Sequence, residues 1–231
     1  MKLQGLKVFL TGARGRLGVE LSKRLLEKGA VTIAPNSLEW DITKGVKPSP
    51  LIVDPLEVDL VIHAAAYTDV PGAEENRFDC VKTNIYGTET VANFAKSCRA
   101  KAVYISSDYV TAPPLSFYAF TKLAGEAFFD KQKDMIIRTS FKSRGMWGEK
   151  ALKKVFHPVY TNGDWVDIIA ELIVKAIEEN RTGVVNLGTK VKTLKDLALE
   201  EYPLVQETPV TEADTLLGYY YPRDTTMDLT I

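Results

Sequence analysis

Apolar positions along the chain follow two alternating rhythms. Short, nearly unbroken apolar runs occupy residues 7–11, 30–34, 58–66, 101–107 and 134–141. Their length and β-branched content suit strands buried on both faces. Between them, apolar residues recur at helical spacing. Leu17, Leu21 and Leu25 lie four apart, with Gly29 placed to end the helix. Ile85, Val91, Ala92 and Ala95 mark a long helix over residues 84–100, and another helix carries Tyr118. Prolines at 48, 50 and 55 mark an irregular connection, within which Leu51, Ile52 and Val53 could be a short helix or a strand end. Strand and helix thus alternate from residue 7 to about 140, which predicts an α/β, doubly wound parallel sheet with helices on both faces. Gly12, Ala65, Ser107 and Thr139 fall at the C-terminal strand ends, the edge where such sheets bind ligands.

The turn after the first strand reads Gly12-Ala13-Arg14-Gly15-Arg16-Leu17-Gly18. Strand, glycine-rich turn and helix together form the setting of a Rossmann dinucleotide fingerprint. Glycine permits unusual dihedrals and close approach of the backbone to a pyrophosphate, and the helix N-terminus supplies free N–H groups. The second strand ends in Ala34-Pro35-Asn36-Ser37 without the carboxylate that commonly holds an NAD ribose. Arg14 could face a 2′-phosphate there or stand in solvent. NADP(H) is therefore expected over NAD(H), which stays admissible. Asp41 and Ile42, in a short acidic turn, are candidates for the adenine end. Small residues Ala64, Ala65 and Ala66, followed by Tyr67, leave room for a flat group over the backbone. Asn84 could cap its helix or brace the site. His63, inside an apolar strand, reads as a core residue.

Tyr118 and Lys122 stand four apart on one helix face. A Lys ammonium beside a phenol would favour the phenolate and lower the Tyr pKa. A phenol so placed can pass a proton to a carbonyl oxygen while a hydride reaches the carbon.

Composition narrows the classes. The 231 residues are 45% hydrophobic with a net charge of −1. That supports one globular unit with a core, and gives no reason to expect nucleic acid or an anionic membrane as partner. No apolar run is long enough to span a bilayer, and no signal peptide is visible. Two distant cysteines, Cys80 and Cys98, fit a reduced, cytoplasmic protein. No internal repeat or low-complexity segment is present.

Ordered motifs over most of the chain resemble the extended short-chain dehydrogenase/reductases, and among them the dTDP-4-dehydrorhamnose reductases. They are Thr11 to Gly18; His63-Ala64-Ala65-Ala66-Tyr67-Thr68-Asp69-Val70; Asn84 with Gly87; Ile105-Ser106-Ser107-Asp108-Tyr109-Val110; Tyr118 to Lys122; Ile137-Arg138-Thr139-Ser140; and Pro222-Arg223-Asp224-Thr225-Thr226-Met227-Asp228. The resemblance implies reduction of the 4-keto group of a nucleotide-activated deoxysugar. Tyr118 would be the general acid, Lys122 would lower its pKa and hold the nicotinamide ribose, and Ser107, in place of the family's Thr, would bond the substrate carbonyl. Gly12, Arg14, Gly15, Arg16, Leu17, Gly18, Asp41, Ile42, Ala64, Ala65, Ala66, Tyr67, Asn84 and Lys122 would form the cofactor site. No metal ligands are recognised, and a homodimer is compatible with the family.

The chain departs from the family where only Thr111 to Phe117 precede the catalytic Tyr, in a shortened stretch after Phe141, and at Tyr221, where Arg is usual. Asp164-Trp165-Val166-Asp167 instead resembles the helix start of sugar epimerases. A Rossmann core over residues 1–141 and a small, shortened substrate lobe over 142–231, which may return elements to the core, are expected. Residues 183–189 would supply a late strand in that lobe. Two alternatives share the fold: an epimerase or dehydratase that keeps NAD bound, and a non-catalytic, cofactor-binding regulatory subunit like the beta subunit of methionine adenosyltransferase.

Overall fold

The computed structural model describes residues 1–146, 154–209 and 222–230. Position 221, singled out above, lies outside the described residues. In chain order the elements are β1 (Lys7–Thr11), α1 (Arg16–Glu27), β2 (Val31–Ile33), β3 (Leu60–His63), α2 (Val70–Glu75), α3 (Arg77–Val81), a π-helical stretch (Lys82–Gly87), α4 (Thr88–Cys98), β4 (Lys101–Ile105), α5 (Phe117–Glu126) and β5 (Met135–Arg138). There follow β6 (Phe141–Lys142), β7 (Lys154–His157), β8 (Tyr160–Thr161), β9 (Asp164–Trp165), α6 (Val166–Glu178), β10 (Gly183–Asn186), β11 (Lys192–Thr193), α7 (Leu194–Leu199) and β12 (Gln206–Pro209).

Six strands form one parallel sheet in the order β2-β1-β3-β4-β5-β10. Side chains alternate between its faces, as strand geometry requires. Leu60, Ile62, Val103, Ile105 and Ile137 face the layer built by Leu17, Leu21 and Leu25 of α1 and Ile169 and Ile173 of α6. Phe9, Val61, Tyr104 and Ile136 face the other layer, with Trp40 and with Val91 and Phe94 of α4. The chain adds strands outward in one direction from β1 to β2 and in the other from β3 onward, and the crevice at this switch between β1 and β3 holds the candidate site.

Four details differ from the sequence reading. The third strand pairs only over Leu60–His63, because Ala64, Ala65 and Ala66 leave the ladder to line a cavity. Residues 51 and 52 form a turn, stabilised where Ile52 N donates to Ser49 O at 2.8 Å. The helix over 84–100 is not one regular α-helix: residues 82–87 are π-helical and only Thr88–Cys98 are α. Residues 183–186, assigned to the lobe from sequence, pair with β5 as the sixth strand of the core sheet, and α6 packs on α1 beside them. An apolar strand such as Val184-Val185 needs a neighbouring ladder, and β5 presents the free edge.

The remaining later elements are short: β6 with β9, β8 with β11, and β7 with β12. They gather around a small cluster of Val155, Trp165, Leu197 and Ala198. Trp165 Nε1 donates to Glu200 Oε2 at 2.7 Å. Among the described residues no helix is long and apolar enough to cross a membrane.

Candidate active site

A cavity of about 830 Å³ runs along the C-terminal ends of β1, β3, β4 and β5. One end is the β1–α1 turn. Gly12 has φ +73°, and a Cβ there would stand 2.5 Å from Ala65 N. At Gly18 a Cβ would lie 2.1 Å from Gly12 O. Both contacts exclude any larger residue, and they press the turn against α1 and the end of β3. Helix α1 has no side-chain cap, so its first N–H groups are left for a ligand.

Asn36, Ser37, Trp40, Asp41, Ile42 and Thr43 line the cavity as well, and so does Arg14. Asp41 accepts from Thr43 N at 3.0 Å and from Thr43 Oγ1 at 2.7 Å. Those bonds, the side-chain one foremost, hold its carboxyl below the usual range. Trp40 packs edge-on against Phe9, with ring centroids 5.4 Å apart, which ties this loop to the core.

Ser107, Tyr118 and Lys122 line the other end. Ser107 ends the extended segment after β4, and its Oγ accepts from Tyr109 N at 3.2 Å. Ser116 caps α5 through Ala119 N at 3.2 Å, which sets Tyr118 in the first turn. Lys122, one turn on, is 2% exposed, and its Nζ sits 4.3 Å from the centre of the Tyr104 ring. Burial is the main influence on both ionisable groups. It pushes the Tyr118 phenol well up, against a lowering hydrogen bond with Ser107. It pushes Lys122 down to about 7, against the raising influence of Glu126 and Cys80. The expectation that Lys122 depresses the Tyr118 pKa is therefore corrected. Desolvation sets the direction, opposed only in part by the Ser107 hydrogen bond: the phenol keeps its proton, and the lysine is the group whose charge is marginal near neutrality.

Of the residues picked from sequence, Gly12, Arg14, Gly15, Arg16, Leu17, Gly18, Asp41, Ile42, Ala64, Ala65, Ala66, Ser107, Tyr118 and Lys122 all line this one cavity. Tyr67 and Asn84 do not. Asn84 is fully buried. Its Oδ1 accepts from Tyr67 N at 2.8 Å, while Nδ2 donates to Tyr67 O at 3.1 Å and to Thr121 Oγ1 at 3.0 Å. It braces the wall after β3 against α5, and the π-helical stretch is what aims it there. His63 is a core residue, bonded to Thr11 Oγ1 at 2.8 Å and Thr88 Oγ1 at 3.0 Å. Burial pushes its pKa down to about 3, so the ring is neutral.

Thr139, placed at a strand end by the sequence, is 3% exposed and lines the cavity, with an Oγ1 that has no hydrogen-bond partner among the described residues. The sequence reading missed two features. Lys142 also lines the cavity; its only signal was its position just past the last apolar strand. Glu126 accepts from Ser106 Oγ at 2.7 Å and from Arg138 Nε and Nη2 at 2.9 and 2.7 Å, which locks α5 to β4 and β5 beneath the site.

The profile of the RmlD substrate binding domain family matches residues 6–173. A dTDP-4-dehydrorhamnose reductase of Mycobacterium tuberculosis is 29% identical over 214 residues, covering 83% of this chain. The chain spans 63% of the length of that relative. The crystal structure of a dTDP-4-dehydrorhamnose reductase from Clostridium acetobutylicum superposes with a TM-score of 0.80 at 26% identity, over 97% of this chain and 90% of that one. That of Bacillus anthracis dTDP-4-dehydrorhamnose reductase in complex with NADP gives 0.82 at 23% identity, over 98% and 92%. With the parallel sheet, the glycine turn and the matched span taken together, the chain belongs to the RmlD substrate binding domain family.

Proposed function

We propose that the protein is an NADPH-dependent reductase of the short-chain dehydrogenase/reductase type, acting on the 4-keto group of a nucleotide-activated deoxysugar. The observation that carries this reading is the single cavity shared by the Gly12–Gly18 turn and by Ser107, Tyr118 and Lys122. The residues fit a dinucleotide. The turn excludes side chains where a backbone must approach phosphate, and the cavity lies in the range of cofactor sites. Gly12, Gly15, Leu17 and Gly18 would hold the pyrophosphate, Asp41 and Ile42 the adenosine, Ala64 to Ala66 the stretch between, and Lys122 the nicotinamide ribose. The bound cofactor supplies a hydride.

The chain's own residues manage the oxygen. The Ser107 hydroxyl donates to the substrate carbonyl and fixes it beside Tyr118. The buried phenol, which retains its proton, donates that proton as charge develops on the oxygen. Lys122 in its ammonium form steadies the phenolate left behind. The segments of residues 142–231 outside α6 and β10 would form a small lobe over the sugar-nucleotide end.

The test is incubation with a panel of nucleotide 4-ketosugars and NADPH, followed at 340 nm and by product mass. Stoichiometric loss of NADPH with a two-hydrogen mass gain supports the proposal. Conversion without consumption of added NADPH would instead identify an epimerase or dehydratase. Tight NADPH binding without any turnover would identify a cofactor-binding regulatory subunit.

A further inference from the structure

Two cations that line the cavity have no carboxylate in ion-pair contact among the described residues. Arg16 opens α1 and is exposed; Lys142 ends β6 and is partly buried. Both line the same cavity, and neither makes an ion pair within 4.0 Å among the described residues. The carboxylate that acts on Lys142 is Asp108, and its oxygens are already engaged. Ser140 Oγ donates to Asp108 Oδ2 at 2.6 Å, Thr161 Oγ1 to the same oxygen at 3.4 Å, and Ser107 Oγ to Oδ1 at 3.4 Å. Burial pushes Lys142 down from its usual pKa; the Asp108 charge opposes that, and the charge of Arg16 adds to it. Two like charges brought together in a partly dry cavity are unfavourable unless an anion lies between them.

The position of the pair identifies that anion. Arg16 directly follows Gly15, at the helix start where a pyrophosphate is held. Lys142 follows shortly after Ser140, whose Oγ donates to Asp108 Oδ2 at 2.6 Å, and Asp108 is the neighbour of Ser107, so Lys142 belongs to the Ser107 end of the cavity. A dinucleotide pyrophosphate carries two negative charges, one on each phosphoryl group, which matches two unpaired cations. We propose that Arg16 and Lys142 clamp the cofactor pyrophosphate between them, with Lys142 on the nicotinamide-side phosphate. The clamp rests on reading this cavity as the dinucleotide site. It makes the segment after β5 part of the cofactor site, and gives that phosphate a ligand from a different strand end than the glycine turn.

The test measures binding of NADPH and of adenosine 2′,5′-bisphosphate, which lacks the nicotinamide-side phosphate, by calorimetry at several salt concentrations. Lys142→Met should raise the Kd of NADPH about tenfold, as expected for loss of one charge-assisted contact. It should flatten the salt dependence and leave the bisphosphate Kd unchanged. Lys142→Arg should restore NADPH binding. An unchanged NADPH Kd in Lys142→Met overturns the clamp, and so does an equal loss for both ligands. An effect confined to the KM of the nucleotide-sugar also overturns it, and assigns Lys142 to a substrate anion instead. Failure of the unmodified protein to bind NADPH or NADH would overturn the dinucleotide reading itself, and the clamp with it.

Discussion

Replacing Lys122 with Met should stabilise the protein at neutral pH. The lysine is 2% exposed, and burial lowers its pKa from 10.5 to about 7. In the unfolded chain it keeps its ordinary value. Between pH 7 and 10.5 the unfolded state therefore binds a proton that the folded state does not, so stability rises with pH across that window. Each pH unit is worth at most about 1.4 kcal/mol. Over pH 7 to 10 the half-titrated ends leave roughly 3 to 4 kcal/mol. Above pH 10 the raised pKa values of Tyr118 and Tyr104 reverse the trend, because the folded state then retains protons that the unfolded state loses. The assay is urea denaturation of the unmodified protein and Lys122→Met at half-unit pH steps from 5 to 10. The difference between the two profiles cancels the other titrating groups. It should be flat below pH 6, with the Met variant more stable, and should close steadily as pH rises. Parallel profiles over the whole range would show that Lys122 titrates normally and that its burial carries no such penalty.

Three further outcomes are expected. Tyr118→Phe removes the proton donor and keeps the ring, so turnover should fall at least about a hundredfold with NADPH affinity unchanged by calorimetry; full activity would remove Tyr118 from the mechanism. Arg14→Ala should weaken NADPH more than NADH, since only NADPH carries the 2′-phosphate; equal weakening would place Arg14 on a group common to both. His63, with a folded pKa of about 3 against 6.5 unfolded, should cost stability as pH falls from 6.5 towards 3, by at most about 1.4 kcal/mol per unit; denaturation midpoints at pH 4 and 7 should differ less in His63→Asn.

The apolar runs predicted β1, β3, β4 and β5 because these strands are mostly buried on both faces, and period and length suffice to identify such a strand; β2, at the sheet edge, is short and has an exposed Val31. The glycine turn was legible for a related reason. Gly12 and Gly18 stand where a Cβ would collide with backbone, so the chemistry of the turn is written in what is absent. Position along the sheet was harder to read. The Val184-Val185 run marks a strand, but nothing local says that it pairs with β5. The role of Asn84 was ambiguous because a buried amide and a helix cap look alike in sequence. The direction of the Tyr118 pKa was misjudged because spacing shows which residues share a helix face and not the desolvation of a buried phenol.

The polar layer beneath the cavity explains why the later half of the chain matters to residues it does not supply. Asp108 is 1% exposed, and burial pushes its carboxyl up while hydroxyl donors hold it down. Those donors come from Ser107 beside it, from Ser140 after β5, from Thr161 in β8 and from Thr225 near the end of the described chain. Thr225 N in turn donates to Tyr160 O at 3.0 Å, and Met227 N to Asn162 Oδ1 at 2.7 Å. Three segments distant in sequence thus converge on the residue that follows Ser107. A buried carboxylate left with fewer donors would be costly, so these segments and the Ser107 loop stabilise one geometry together. Asp108 and Lys142 also act on each other through their charges, without an ion pair within 4.0 Å among the described residues. The same network that fixes the serine therefore bears on a cation that lines the cavity.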